Sequence, residues 1–219
     1  MSCLNEIETH IIDDMLGRRP DLKACVPAME QLHAALVACY DRGGVFYTCG
    51  NGGSNADALH IVGELCKSFE RKRPLDDSFA QVLAQLPHGE ALHEHLEAGL
   101  PAVALGLNSP LKTAIENDCP LPNIAFAQEL NALMKAGDVL LSISTSGNAS
   151  NCLMAMSVAK AKGNVTAVLT GPKGGDMAQH GDIVIRVPGA STKEIQEGHV
   201  VVFHTMCCLI EAHYFPEIR

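Results

Sequence analysis

The stretch DVLLSISTSGN, residues 138–148, decides the fold class of this chain. It begins with an apolar run, Val139 to Ile143, that is rich in Val, Leu and Ile without strict polar alternation. Such a run is typical of a strand covered on both faces. Three hydroxyl residues and a glycine follow it, and then a helical pattern over 148–162. A strand, a short polar loop and a helix in this order form the unit of a parallel α/β sheet.

Four further apolar runs share this character and alternate with helical patterns. The runs cover 45–49, 102–107, 165–169 and 183–187, and the helical patterns cover 22–40, 54–70, 123–135 and 194–214. We therefore predict a single three-layer α/β domain over 1–219, with a doubly wound sheet of five parallel strands flanked by helices. Residues 1–43 are predicted to form a helical N-terminal segment. Residues 74–100 are predicted to form a helical insertion, because a short connection would suffice there.

The composition limits the classes of function. The 219 residues carry a formal net charge of −9, whereas a nucleic-acid surface needs clustered Lys and Arg. The one basic cluster, 67–73, is interpreted as a solvated helix end. No apolar run reaches the roughly 20 residues of a membrane span, and the N-terminus lacks a basic-then-apolar signal pattern. We therefore expect a cytoplasmic protein with neither a nucleic-acid nor a membrane partner.

The nine cysteines are predicted to be reduced thiols. Their number is odd and no Cys-x-x-Cys pair occurs, which favours neither a disulfide framework nor a zinc ribbon. Six of them fall in apolar helical patterns, where a thiol behaves as a small hydrophobe. These six are Cys25, Cys39, Cys66, Cys152, Cys207 and Cys208.

Two strand-end loops are candidates for binding an anion. Backbone N–H groups at a helix N-terminus, together with hydroxyl groups, can stabilise a phosphate without a Lys or Arg. The alternatives are a plain tight turn for the first loop and a Ser-rich helix cap for the second. Because strand-end loops converge on one crevice, the pair favours a phosphate site. The residues concerned are Asn51, Gly52, Gly53 and Ser54 in the first loop, and Ser144, Thr145 and Ser146 in the second.

Four polar residues on otherwise apolar helices form the third candidate group. His60 and Glu64 are four residues apart and share a helix face. Gln196 and His204 are eight residues apart, which places them about 80° apart around an ideal helix. Nitrogen and oxygen ligands of this kind suit Zn²⁺ or another borderline divalent metal. Taken singly, each of the four is more often a satisfied polar group than a ligand.

Four sequence blocks, in this order, resemble the sugar isomerase (SIS) domain family and within it the phosphoheptose isomerases. The blocks read GNGGSNADALHIVGEL, DVLLSISTSGN, LTGPKGGDMAQHGDIVIRVPG and IQEGHVVVFH. The resemblance implies a SIS fold and an aldose–ketose isomerase that converts sedoheptulose 7-phosphate to D-glycero-D-manno-heptose 7-phosphate through an enediol. It also implies a homotetramer with one zinc ion per subunit.

The resemblance also assigns roles to particular residues. A zinc site is implied on His60, Glu64, Gln196 and His204. Glu64 is implied as the base at C2 and His204 as the acid/base that serves C1 and its oxygen. Substrate binding is implied for Asn51, Gly52, Gly53, Ser54, Asn117, Asp118, Ser144, Thr145, Ser146 and Gln196.

The chain departs from the family pattern at four positions. Ala149 replaces a serine, Lys193 and Glu194 replace an Asp-Arg pair, and Cys119 follows Asn-Asp where a glycine is usual. Two alternatives therefore stay open: an isomerase of another sugar phosphate, and a non-catalytic SIS protein such as a sugar-phosphate sensor or the DnaA initiator-associating protein. The presence of all four metal-type residues favours catalysis.

Overall fold

A sheet of five parallel strands lies at the centre of the computed structural model, which describes residues 4–216. The spatial order is β2-β1-β3-β4-β5, so the direction of winding reverses between β1 and β3. This confirms the predicted doubly wound α/β architecture. β2 ends three residues before the predicted boundary. The strands are β1 (Phe46–Gly50), β2 (Ala102–Ala104), β3 (Val139–Ser144), β4 (Val165–Thr170) and β5 (Ile183–Arg186).

Helices cover both faces of the sheet, which gives three layers. α1, α2, α3 and α10 pack on one face, and α7 and α8 pack on the other. A 3₁₀ turn, Pro20–Cys25, leads into α2. The helices are α1 (Glu6–Arg18), α2 (Val26–Tyr40), α3 (Gly53–Cys66), α4 (Asp77–Leu83), α5 (Gly89–His95), α6 (Ser109–Asp118), α7 (Ala125–Leu133), α8 (Ser150–Ala161), α9 (Met177–His180) and α10 (Thr192–Tyr214).

The strands lack polar alternation because both of their faces are buried. Along β3, Val139 and Leu141 pack into the core beneath α2, α3 and α10, whereas Leu140 packs into the core beneath α7 and α8. Successive side chains of a strand point to opposite faces, so each face needs its own apolar residues. Five of the six predicted core cysteines are buried, but Cys66, the last residue of α3, is exposed.

The interpretation of the basic cluster 67–73 as a solvated helix end was wrong for Arg71 and Arg73, which are buried, and holds only for the two exposed lysines. α3 ends at Cys66, and the following loop wraps around the carboxylate of Glu211 on α10. Glu211 accepts hydrogen bonds from three successive backbone N–H groups at 69–71 and from Arg73 Nε at 2.7 Å. Both partners of the Arg73–Glu211 ion pair are 0% exposed. A buried carboxylate that needs donors thus ends the helix earlier than the sequence pattern predicts.

The insertion 74–100 forms a pair of short helices, α4 and α5, that pack on each other. The two ends of this segment meet, since Ala98 N donates to Arg73 O at 2.9 Å. Glu97 accepts from the backbone and hydroxyl of Ser68, which anchors the C-terminal end of the segment. The outer face is apolar and exposed, with Phe79 at 50% and Val82 at 63% exposure.

Deletion of residues 75–96, with two glycines as the joint, is expected to leave a folded domain. The deletion removes α4 and α5 but keeps Arg73, Glu97 and the hydrogen bond that closes the segment. We expect a thermal midpoint within a few degrees of the parent chain, because few core contacts are lost. Circular dichroism and thermal unfolding would check this. Insoluble protein from this variant would show that the helix pair belongs to the core.

His199 is a fully buried histidine in the middle of α10. Within the described part of the chain, neither of its ring nitrogens has a partner in hydrogen-bond geometry, although the backbone of Thr170 lies close enough to act on it. Burial lowers the pKa of His199 from its ordinary value of 6.5 to about 4. The unfolded chain therefore binds this proton at a higher pH than the folded chain does, and stability is lost as pH falls from about 6.5 to about 4.

Replacing His199 with methionine is expected to weaken this acid sensitivity. Between pH 7 and pH 5 the histidine should lower the free energy of unfolding by about 2 kcal/mol. Methionine does not titrate, so the variant should not show this loss. Urea unfolding of both proteins at the two pH values would measure it. An equal loss of unfolding free energy in both proteins would mean that His199 is not neutral in the folded state.

Candidate functional site

The first two strand-end loops converge where β1 and β3 lie side by side. Asn51 and Asn151 exchange two side-chain hydrogen bonds of 2.9 and 2.8 Å across the gap. Gly52, the N-cap residue of α3, adopts a positive φ of 55°. Ser54 is only 4% exposed, so its side chain lies beneath the loop. Asn151 was missed from sequence, because its position in the first turn of α8 reads as ordinary helix.

The hydroxyl loop after β3 is folded by its own side chains. Gly147 N donates to Ser144 Oγ and Asn148 N donates to Ser146 Oγ, each at 3.2 Å. Ser144 is buried, Thr145 is half-buried and Ser146 is exposed. Such loops present N–H and O–H donors together, as an anion requires.

A pocket of about 570 Å³ opens beside this loop. Its size is within the range of small-molecule sites. Lys173, from the loop after β4, lines the pocket as well, so a cation is present where the sequence analysis required none. The lining residues are Thr145, Ser146, Asn148, Pro172, Lys173, Gly175, Gly189, Ala190, Ser191, Thr192 and Ile195.

The loops after β3 and β4 pack together through glycines. Gly147 has a φ of 68°, and a Cβ built on it would lie 1.8 Å from Gly174 O. Met177 N donates to Gly147 O at 2.8 Å, and Asp176 N donates to Asn148 Oδ1 at 3.0 Å. The hydroxyl loop therefore depends on a glycine here, both for its backbone conformation and for this close approach.

Gly147→Ala is expected to weaken binding of a phosphate-bearing ligand at the hydroxyl loop at least tenfold. A side chain at a positive φ costs about 1–2 kcal/mol, and the clash with Gly174 must displace one of the two loops. Since 1.4 kcal/mol corresponds to tenfold in affinity, KM or Kd should rise by at least this factor. Calorimetry with the ligand would check it, with Gly163→Ala as the control, because Gly163 also has a positive φ and a Cβ there meets nothing within 4 Å. Equal affinities for both variants would contradict the role of the loop.

Three of the predicted metal ligands meet between α3 and α10. His60 Nε2 lies 2.9 Å from Glu64 Oε1, and His204 Nε2 lies 3.4 Å from His60 Nε2. One donor atom from each of the three residues lies within 4.8 Å of the others. The ring of the buried Phe203 packs at 5.3 Å from His60 and 4.8 Å from His204, which holds both imidazoles in place.

The surroundings of His204 favour the neutral form of its imidazole. Burial, and then the nearby His60, lower the pKa of His204. Burial also raises the pKa of Asp57, one turn before His60 on α3, to about 6. Among the described residues Asp57 Oδ2 has no hydrogen-bond partner. A half-buried carboxyl group with a raised pKa near His60, a candidate metal ligand, is typical of functional sites, and sequence reasoning did not identify it.

Gln196 lies at the other end of the α3–α10 contact. A Cβ built on Gly53 would lie 2.3 Å from Gln196 Nε2, so the amide packs against the start of α3. Gly53 precedes His60 by seven residues, or about 10 Å along a helix. The structure therefore places Gln196 beside the first loop, and its role as a fourth ligand stays a prediction.

Asn117 and Asp118 are the last two residues of α6. Both side chains are exposed at the end of α6, where Asn117 Nδ2 donates to Asp118 Oδ1 at 2.8 Å. Asn108 caps α6 and Pro110 lies in its first turn, so a helix starts soon after β2 and carries the Asn-Asp pair away from the strand end. Neither Asn117 nor Asp118 is among the described residues that line the pocket beside Thr145. That these two residues contact the substrate stays a prediction.

Similarity to known proteins identifies the family to which this chain belongs. Residues 23–98 and 121–214 match the SIS domain family. The phosphoheptose isomerase of Burkholderia pseudomallei (strain 1710b) is 38% identical over 187 residues, which cover 85% of this chain and 82% of that protein. This chain belongs to the phosphoheptose isomerase family. The relative from Roseiflexus sp. (strain RS-1) is 34% identical over 214 residues, or 98% of this chain and 94% of that one.

A solved phosphoheptose isomerase structure shows the same fold. The protein from Francisella tularensis matches with a TM-score of 0.71 at 30% identity, over 96% of this chain and 98% of that chain. The family resemblance seen in the sequence is therefore confirmed. Within the described residues no helix is long and apolar enough to cross a membrane.

Proposed function

We propose that this chain, like the phosphoheptose isomerases it resembles, interconverts sedoheptulose 7-phosphate and D-glycero-D-manno-heptose 7-phosphate for heptose biosynthesis. The observation that carries the proposal is the cluster of Glu64, His60 and His204, in which a carboxylate and two imidazoles lie within 4.8 Å of one another. Aldose–ketose isomerisation requires acid and base groups at two adjacent carbons. The cluster supplies both.

The proton balance of the reaction assigns a role to each group. When the ketose becomes the aldose, C1 loses one hydrogen and C2 gains one, while one proton leaves O1 and one reaches O2. Glu64 serves C2, and His204 serves C1 and its oxygen. Since burial lowers the pKa of His204, its imidazole is neutral near pH 7 and can accept a proton.

The residues of the cluster also fit a divalent metal. His60, Glu64 and His204 offer two imidazole nitrogens and one carboxylate oxygen, a donor set that suits Zn²⁺. The Nε2 atoms of His60 and His204 approach to 3.4 Å, which is close to the spacing of two ligands on one ion. Gln196 is proposed as the fourth ligand. A bound zinc ion would stabilise negative charge on the sugar oxygens.

The phosphate group is proposed to bind at the hydroxyl loop. Ser144, Thr145 and Ser146 lie at the N-terminal side of α8, and Lys173 adds a positive charge to the same pocket. A dianion is stabilised by such donors and by the helix dipole. Asn51, Gly52 and Gly53 are proposed to contact the sugar between the phosphate and the cluster.

Another sugar phosphate is the second candidate substrate. Where the family has an Asp-Arg pair, this chain has Lys193 and Glu194, and the Glu194 carboxylate accepts from Ala190 N at 2.8 Å as a cap of α10. One oxygen of Glu194 is therefore engaged at the helix start. The Lys193-Glu194 pair therefore changes the polar groups near the pocket beside the hydroxyl loop, which is why another sugar phosphate is a candidate.

A phosphate-deleted substrate tests the proposal most simply. We expect purified protein to form aldose from sedoheptulose 7-phosphate and to act on sedoheptulose at least 100-fold less efficiently, since phosphate binding positions the sugar. Turnover of a hexose or pentose phosphate alone would support the second candidate. Binding of these sugar phosphates without turnover of any would favour a sensor.

We propose a homotetramer as the assembly. The support is family membership, together with a pocket of about 500 Å³ beside His204 that is open to solvent and lined by residues of α1 and α10. Sedimentation velocity would measure the mass of the particle. A monomer with full activity would contradict this proposal.

A further inference from the structure

A second histidine–carboxylate cluster lies at the far end of α10 from the candidate active site. Glu8 of α1, His33 of α2 and His213 of α10 bring one donor atom each to within 4.8 Å of the others. His213 Nδ1 lies 2.9 Å from Glu8 Oε1, and His33 Nε2 lies 3.3 Å from the same oxygen. Nine residues separate His213 from His204, so the two clusters are about 13 Å apart along the helix.

His33 directs an unpartnered nitrogen into this cluster. The side chain is 5% exposed, and among residues 4–216 its Nε2 has no hydrogen-bond partner. The imidazole is hydrogen-bonded by the backbone of Leu209. Its Nε2 lies 3.3 Å from Glu8 Oε1 without forming a hydrogen bond to it. A histidine that donates one ring N–H to a backbone carbonyl is oriented as a metal ligand usually is.

Glu8 is held in place on its other side. Its Oε2 accepts from Asn5 N at 2.8 Å, and Glu8 N donates to Asn5 Oδ1 at 2.9 Å, which is the capping box of α1. The helix cap thus fixes the carboxylate and leaves Oε1 for the two imidazoles. The side chain is 1% exposed, and a buried carboxylate requires a compensating positive charge or donors.

Two of the three distances between donor atoms are close to those expected for one small cation. Zinc binds nitrogen and oxygen ligands at about 2.0–2.1 Å, so two ligands of a tetrahedral site lie about 3.3 Å apart. The His33–Glu8 distance of 3.3 Å has this value, and the His213–Glu8 distance of 2.9 Å requires an opening of a few tenths of an ångström. His213 is 34% exposed, which leaves a path from solvent and room for a water ligand.

We propose that Glu8, His33 and His213 form a second, structural site for a borderline divalent cation such as Zn²⁺. The site joins α1 to α2 and to the last turn of α10. Half-buried Glu30, one turn before His33 on α2, adds negative potential near the cluster. Binding by the folded chain alone stabilises the fold by mass action.

Zinc stoichiometry tests this site directly. Metal-stripped protein is dialysed against zinc chloride, and bound zinc is counted per chain. We expect His213→Gln to bind one zinc fewer than the parent chain, and His180→Gln, at an exposed histidine of α9, to bind the same number. The count falls by one whether or not the active-site cluster binds zinc, so the test is independent of the proposed function. An unchanged count for His213→Gln overturns the proposal.

A second measurement separates this site from the first. In a His60→Ala/His204→Ala background, zinc should raise the thermal midpoint by several degrees, and Mg²⁺ should not, since it prefers oxygen ligands. Adding His213→Gln or Glu8→Gln to that background should remove the shift. A zinc-induced shift that survives both additional substitutions, or no shift in the background itself, contradicts the proposal.

Discussion

Glu64→Gln is expected to lower kcat by about 10²–10⁴-fold while the protein stays folded, because general acid–base groups contribute factors of this size. The amide keeps the shape of the side chain but can neither accept nor deliver a proton at C2. Glu64 lies 2.9 Å from His60 on the same helix, and an amide oxygen can keep this contact, so α3 should stay folded. Initial rates of aldose formation would measure the effect.

Two controls make this result specific. Glu116→Gln changes an exposed carboxylate on α6 that pairs only with exposed Lys112 in the structure, and its kcat should stay within twofold of the parent chain. Zinc content of Glu64→Gln should be measured alongside, since a lost metal would lower activity by another route. Full activity in Glu64→Gln would contradict the acid/base assignment.

Glu211→Gln is expected to lower the free energy of unfolding by about 3–5 kcal/mol, because it leaves the buried Arg73 guanidinium without its counter-charge. The side chain loses almost no volume, so no cavity contributes. One amide oxygen cannot replace a carboxylate that accepts from Arg73 and from three backbone N–H groups. The thermal midpoint should fall by roughly 10 °C.

A double-mutant cycle tests the coupling between the two residues. Arg73→Met combined with Glu211→Gln should destabilise the fold by clearly less than the sum of the single changes, because the second substitution removes the uncompensated charge left by the first. Arg73 also donates to the backbone oxygens of Leu65 and Glu64. Reduced activity in Arg73→Met at full folding would therefore show that it positions Glu64. Additive losses would contradict the coupling.

The sheet and its strand-end loops could be predicted because their signals are local. A strand with two buried faces needs a continuous apolar run, as 139–143 shows, and a helix directly after a hydroxyl-rich loop follows from the order of residues. His60 and Glu64 share a helix face by spacing alone. Their meeting with His204 followed from the family resemblance, and the structure brings the three together.

Other features could not be predicted because they depend on distant parts of the chain. The Arg73–Glu211 pair joins residues 138 apart, and nothing in the sequence near Arg73 distinguishes it from a solvated basic residue. Asn117 and Asp118 were assigned by motif, yet the helix that starts after Asn108 places them at an exposed end. Lys173 reaches the pocket beside the hydroxyl loop from a third loop, whose approach depends on the packing of Gly147 against Gly174.

Formation of D-glycero-D-manno-heptose 7-phosphate from sedoheptulose 7-phosphate is the measurement that tests the proposed function most directly. The assay compares zinc-loaded protein with protein stripped by a chelator, and product is detected by nuclear magnetic resonance. We expect turnover in the loaded sample, at least 100-fold slower turnover in the stripped sample, and recovery when zinc is returned. Binding of sedoheptulose 7-phosphate to the zinc-loaded protein without any conversion would contradict an isomerase and indicate a sugar-phosphate sensor.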